Sequence, residues 1–260
     1  MEYVNGNIRL LHDDCMDYMR TLPDNAFDLA VVDPPYGSAN SESSGGGGRF
    51  GPRFERYMEP SQRWTERTLL PPPPPPHTER DADTGSFKGG TWAKRYRRCE
   101  TGVVKVPTWD IAPPQEYFDE LFRVSKNQII WGGNYFALPP TRCFIVWEKI
   151  NIPEKFTMAM CEYAWTSFGG NAKIYKKTSS RGKDSGCFHP TEKPIALYAW
   201  ILNNYAKEGY KILDTHLGSG SSAIAAWELG FEFTGIEIDE YYYNAAVKRF
   251  NTHMAQQKIF

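Results

Sequence analysis

Short runs of β-branched and aromatic residues recur along the chain at 8–11, 28–32, 128–131, 143–147, 162–168, 211–213 and 233–236, each of strand length. Between them, 114–124, 194–207, 221–229 and 241–250 carry apolar residues at helical spacing, several of them opened by Pro or Ser. Strands alternating with helices predict an α/β fold, a mainly parallel sheet with helices on both faces. Such sheets bind ligands at the carboxyl ends of their strands, so the residues that follow each run are the candidates for chemistry.

The pattern breaks between 37 and 107. Four consecutive glycines at 45–48, six prolines at 71–76 and the cluster Lys94-Arg95-Tyr96-Arg97-Arg98 cannot present a steady apolar face to a core. This stretch reads as a long loop or partly disordered arm inserted into a single domain spanning 1–260. An insert of that length is usually functional or mobile.

Composition excludes whole classes. With 260 residues, 41% hydrophobic and 15% aromatic, the chain is not disordered overall. No apolar run approaches the roughly 18 residues that span a bilayer, and residues 1–11 lack a basic-then-apolar signal, so no membrane association and a cytoplasmic location are expected. Five cysteines without a CxxC pair suggest neither a disulfide framework nor a metal site. The formal charge of −1 argues against coating nucleic acid through bulk charge, but it is an average over unlike parts. The insert 37–107 holds 12 basic and 8 acidic residues, net +4; segment 169–188 holds five basic residues against Asp184, again +4; the remainder is −9. An acidic body thus carries two basic segments suited to phosphate contact, with Arg95, Arg97 and Arg98 in the first and Lys176, Lys177, Arg181 and Lys183 in the second.

Two strand ends carry chemistry. After 211–213 comes Asp214-Thr215-His216-Leu217-Gly218-Ser219-Gly220-Ser221, opening a helix; the glycines permit a tight turn and close backbone approach to a ligand. The next strand ends in Glu237-Ile238-Asp239, 17 residues beyond Gly220, where an acid can take both hydroxyls of a ribose. A phosphate-binding G-x-G-x-x-G is not completed, and Asp214 would repel a phosphate but attract an ammonium group. That favours a cationic amino-acid nucleoside over a dinucleotide, and disfavours a dinucleotide-dependent oxidoreductase. His216 has no apparent partner and is given no chemistry.

The strand 28–32 runs into Asp33-Pro34-Pro35-Tyr36. Two prolines fix φ and remove two backbone donors. Asp33 and the Pro34 carbonyl can then accept the two protons of one amino group, and Tyr36 offers a flat face for a planar base. Trp131-Gly132-Gly133-Asn134, at another strand end, either walls a base pocket or makes a structural turn.

These motifs, in this order, resemble the S-adenosylmethionine-dependent amino-methyltransferases of DNA, in the circularly permuted group whose catalytic motif precedes the cofactor motif. The resemblance covers 4–36 and roughly 109–250. It implies a Rossmann-like methyltransferase sheet and S-adenosylmethionine as cofactor. It implies catalysis by Asp33, Pro34, Pro35 and Tyr36 on a base flipped out of duplex DNA. Cofactor contacts are implied for Asp33, for Asp214, Gly218, Ser219, Gly220 and Ser221, and for Glu237 and Ile238. Thr191 and Lys193 of His189-Pro190-Thr191-Glu192-Lys193-Pro194 match the segment near the methionine end, and Asp14-Cys15 looks like the region contacting the cofactor's adenine; Asp13 is an equal candidate there, and either acid could cap a helix.

In that family the Asp form of the tetrad goes mainly with N6 of adenine and a Ser form with N4 of cytosine, so site-specific adenine-N6 methylation is expected. N4-cytosine, an RNA adenine and an inactive binding partner are the alternatives. Segment 169–188 lies where the permuted group places its target-recognition region but is short, so the insert is expected to share DNA contact by ordering on it. Dimers occur in the resembling group, so a homodimer is one partner the resemblance allows, but no residue of this sequence identifies an interface. A cognate restriction endonuclease acting on the same sites, without direct contact, is the other implied partner.

Overall fold

The computed structural model describes residues 1–37, 111–153, 159–179, 189 and 191–257. Among the described residues nine strands form one sheet: β1 (Glu2–Asn5), β2 (Ile8–His12), β3 (Leu29–Val32), β4 (Gln128–Trp131), β5 (Phe144–Lys149), β6 (Cys161–Thr166), β7 (Lys173–Lys177), β8 (Lys211–Asp214) and β9 (Glu232–Glu237). Their spatial order is β1-β2-β9-β8-β3-β4-β6-β5-β7. The pairs β2–β9, β9–β8, β8–β3, β3–β4 and β5–β7 are parallel; β1–β2, β4–β6 and β6–β5 are antiparallel. The sheet is thus mainly parallel, as the alternating pattern predicts, and Met1–Tyr36 with Ala112–Phe260 forms one compact unit.

The helices are α1 (Cys15–Arg20), α2 (Gln115–Val124), α3 (Ile195–Tyr205), α4 (Ser221–Glu228) and α5 (Glu240–Gln257). Strand alternation divides the core in two. Along β3, Leu29 and Val31 pack with Ile129, Leu197, Ile201, Ile224 and Phe250 on the face covered by α3, α4 and α5. Ala30 and Val32 pack with Met19, Tyr117, Phe118 and Leu121 on the face covered by α1 and α2. The strands are apolar on both faces because both are covered.

The direction of each strand decides which residues meet. β2, β9, β8, β3 and β4 run parallel, and two antiparallel steps through β6 return β5 and β7 to the same direction. His12, Glu237, Asp214, Asp33, Trp131, Lys149 and Lys177 therefore all lie at one edge of the sheet, together with Glu162 near the start of the reversed strand β6. No helix among the described residues is long and apolar enough to cross a membrane.

Candidate active site

The two motifs lie about 180 residues apart in the chain but stand on neighbouring strands: β3 pairs with β8 in parallel, Ala30 opposite Leu213. Asp33 follows β3 and Asp214 closes β8. The Tyr36 hydroxyl donates to Asp33 Oδ1 at 2.8 Å, and the Lys193 ammonium pairs with Asp33 Oδ2. Burial, then the charges of Asp33 and Glu162, hold the Tyr36 phenol well above its usual range.

Tyr36 packs against two residues that follow β4. Gly132 has φ +66°, and a methyl group built there would overlap the Tyr36 ring. Tyr135, in the 3₁₀ turn Gly133–Tyr135, stacks on the ring with centroids 4.8 Å apart and planes at 16°. The Trp131–Asn134 segment is therefore both a glycine-dependent turn and a wall of the Tyr36 site.

The glycine turn and the acid of β9 also converge. Gly218 (φ +51°) donates its N–H to Glu237 Oε2 at 2.8 Å, and Asp239 N–H donates to Glu237 Oε1 at 3.0 Å. Burial pushes the Glu237 carboxyl up. Asp214 accepts from Ser222 Oγ at 2.6 Å and from His216 N–H at 3.0 Å; burial above all raises its carboxyl to about 7. Arg249 of α5 donates to the Ser219 carbonyl at 2.8 Å, to Ser221 Oγ at 3.0 Å and to Glu192 at 2.8 Å. Ser221 and Ser219 are thus tied into the turn itself, with Gly220 (φ +74°) against Ala246.

Asp14 caps α1, its Oδ1 accepting from Met16 N–H at 2.7 Å, while Asp13 Oδ1 accepts from Asp14 N–H. Both acids stand beside the end of β9, since Asp13 N–H donates to the Glu237 carbonyl and His12 Nε2 lies 3.1 Å from the Ile238 carbonyl. Burial, then Asp14's charge, pushes the Cys15 thiol up to about 12, so it is an inert thiol. Ile238 is exposed, and Thr191 is an exposed residue whose Oγ1 lies 3.3 Å from His189 Nδ1.

His216 does have partners, contrary to expectation: Thr215 Oγ1 lies 2.9 Å from its Nδ1 and Tyr117 Oη at 3.5 Å. Tyr117 is 99 residues away on α2, which is why local sequence hid it. Lys193, placed by the resemblance in the segment near the methionine end, is nearly fully buried and pairs with Asp33. Sequence reading also missed Glu162 and Lys149, which join Lys193 in a partly buried ion-pair chain. Lys176 and Lys177 lie on the outermost strand β7, with Lys176 paired to Glu148 at 3.0 Å. Arg95, Arg97, Arg98, Arg181 and Lys183 lie outside the described residues.

The donor set fits S-adenosylmethionine. Glu237 keeps lone pairs for two ribose hydroxyls beside a side-chain-free Gly218, and the buried Asp214 is an acid that a nearby ammonium group would ionise. Comparison with known proteins agrees. The family model N6_N4_Mtase, described as DNA methylase, matches residues 130–248. The Type II methyltransferase M2.LlaDCHI of Lactococcus lactis subsp. cremoris is 26% identical, covering 96% of this chain and 91% of its own. The Type II methyltransferase M2.DpnII of Streptococcus pneumoniae is 25% identical over 95% and 91%. The solved PvuII DNA methyltransferase, cytosine-N4-specific, superposes with a TM-score of 0.52 at 11% identity, covering 95% of this chain and 88% of that one, which establishes a shared fold. Residues 130–248 thus match the DNA methylase family model, and nearly the whole chain is similar to Type II DNA methyltransferases.

Proposed function

We propose that the protein methylates N6 of adenine at a specific site in duplex DNA, after flipping the base out of the helix. The observation that carries this reading is the carboxylate of Asp33, fixed at the end of β3 by Lys193 and Tyr36 and one strand away from the glycine turn. When bound, S-adenosylmethionine supplies a methyl group on a cationic sulfonium that departs as a neutral thioether. Gly218 to Ser221, Asp214, Thr191 and Glu237 would hold it, with Asp14, Cys15 and Ile238 around its adenine.

Asp33 and the Pro34 carbonyl accept the two amine hydrogens of the target base. That turns the nitrogen lone pair out of conjugation and aims it for in-line attack. The nitrogen that takes the methyl group becomes positive. Asp33 stabilises that charge and is the nearest base to receive the departing proton. Pro34 and Pro35 keep the strand end rigid with no N–H to compete, and the Tyr36 ring stacks on the base. Catalysis here is positioning and electrostatics, with no covalent enzyme intermediate.

Mass analysis of nucleosides from DNA methylated by the protein tests the assignment. N6-methyladenine is the expected product; N4-methylcytosine overturns the choice of base, and methyl transfer only to RNA overturns DNA as the substrate. Replacing Asp33 by Ala is expected to abolish transfer while leaving cofactor binding within about twofold. Retained turnover would remove Asp33 from its role.

A further inference from the structure

The ion pairs at Asp33 extend beyond the groups that methyl transfer itself uses. Besides Asp33, the Lys193 ammonium meets Glu162 Oε2 at 3.3 Å, and the other oxygen of Glu162 meets Lys149 Nζ at 2.6 Å. Lys193 is 3% and Lys149 8% exposed. Each lysine also lies over an indole, Lys193 at 5.1 Å from the Trp131 ring centre and Lys149 at 5.2 Å from that of Trp147. Asp33, Lys193, Glu162 and Lys149 thus form one line of alternating charge along the catalytic edge of the sheet.

The topology explains the meeting. β6 runs against its neighbours, so Glu162 near its start stands beside Lys149 at the end of β5. Burial acts to discharge Lys193, but the carboxylates of Asp33 and Glu162 outweigh it and hold the ammonium charged. Burial likewise acts to protonate Glu162, and Lys193 and Lys149 outweigh it.

The line has two cations and two anions, and its neutrality bears on the reaction. A sulfonium approaches Asp33 and a positive nitrogen forms there, so an uncompensated lysine in this water-poor site would oppose both. Lys193 held between two carboxylates is also fixed in direction, where an ammonium paired with Asp33 alone could swing the carboxylate with it. We propose that Glu162, anchored by Lys149, is a positioning residue for methyl transfer: it holds Lys193 in place, and through Lys193 it sets the orientation of Asp33 while keeping the cluster neutral. This rests on the reading of Asp33 as acceptor of the amine hydrogens.

Glu162→Gln keeps the size of the side chain and leaves the cluster with one excess positive charge. Its kcat is expected to fall by about one to two orders of magnitude, with KM for DNA and the dissociation constant of S-adenosylmethionine within about twofold of the parent. Combining it with Lys149→Met restores neutrality and is expected to recover at least tenfold of that loss, a rescue that a merely structural role does not give. Glu162→Asp keeps the charge but withdraws it from Lys193, and is expected to fall between parent and Gln even where the Gln variant is too unstable to assay.

Parental kcat in Glu162→Gln overturns the proposal. So does a loss carried by KM alone, a double variant no better than the single one, or parental kcat in Glu162→Asp where the Gln variant does not fold. Asp33→Ala, measured alongside, separates the two readings. Turnover in that variant defeats the role of Asp33 itself, whereas an inactive Asp33→Ala beside a fully active Glu162→Gln defeats only the positioning role.

Discussion

Tyr36 has one face stacked on Tyr135, the Cδ1–Cε1–Cζ side of its ring against Gly132 and its hydroxyl on Asp33. A flipped base can take the face that Tyr135 covers if Tyr135, which is 57% exposed, moves outward by about the thickness of one ring. The amine must also share Asp33 with the phenol, which a carboxylate with several lone pairs allows. Gly132 is the fixed wall in this arrangement. Gly132→Ala is expected to displace Tyr36 and strain a positive φ, lowering kcat about 100-fold and stability by about 1–3 kcal/mol, with cofactor affinity unchanged. Steady-state kinetics with a separate cofactor titration checks this.

Asp214 gives a pH signature. Its carboxyl rises from 3.8 to about 7 on burial, so between those values the folded protein binds a proton that the unfolded chain does not. Asp214's own contribution to stability therefore falls as pH rises from about 4 to about 7, by on the order of 4 kcal/mol in the limit, and levels off above that. Cofactor affinity runs the opposite way, because only the ionised acid attracts an ammonium group, and is expected to strengthen from pH 5.5 to 7.5. Asp214→Asn is expected to flatten both profiles, measured by thermal midpoint and by cofactor titration.

Among the elements, α5 does more than cover the sheet, since Arg249 ties the glycine turn to the loop before α3 through Ser219, Ser221 and Glu192. Arg249→Leu removes hydrogen bonds made by a charged donor and leaves Glu192, which is 8% exposed, without its ion partner. A loss of about 1.5–3 kcal/mol in stability and weaker cofactor binding are expected, read by melting and titration together. The elements also show what sequence could and could not tell. β3, β4, β8 and β9 were legible because both their faces are covered, which writes them as continuous apolar runs. β7 was not, because Lys-Ile-Tyr-Lys-Lys on an outermost strand buries little and reads as a basic loop. The motif residues were legible because strand-end chemistry is local. Glu162, Lys149 and Tyr117 were not, because their partners arrive through strand order: Lys193 reaches Asp33 across 160 residues of chain. The one trace of Lys149 and Glu162 in the sequence is a charge set directly against an apolar strand run.

For the whole molecule, charge is the quantity that sorts DNA contact from catalysis. Lys176 is neutralised by Glu148 at 3.0 Å and Lys173 is held by Asn204 at 2.8 Å and lies over Tyr205, so β7 offers less free positive charge than its composition suggests. Within the insert, residues 41–88 carry seven basic and seven acidic side chains, which leaves the +4 to the stretch around Lys94, Arg95, Arg97, Arg98 and Lys105. Removing 41–88 therefore tests length and ordering, whereas replacing Arg95, Arg97 and Arg98 by Ala tests charge. Each phosphate left without its arginine should lower the slope of log affinity against log salt by about 0.9, so the triple variant is expected to lose up to about 3 from that slope. Lys176→Ala, already paired, should change it by less than about 1. With DNA at saturation, kcat of the triple variant should stay at the parental value, since the acidic body holds all of the proposed chemistry. DNA-binding isotherms from low to physiological salt decide the matter. A triple variant with an unchanged slope would move the phosphate-binding role out of the insert and back to the sheet.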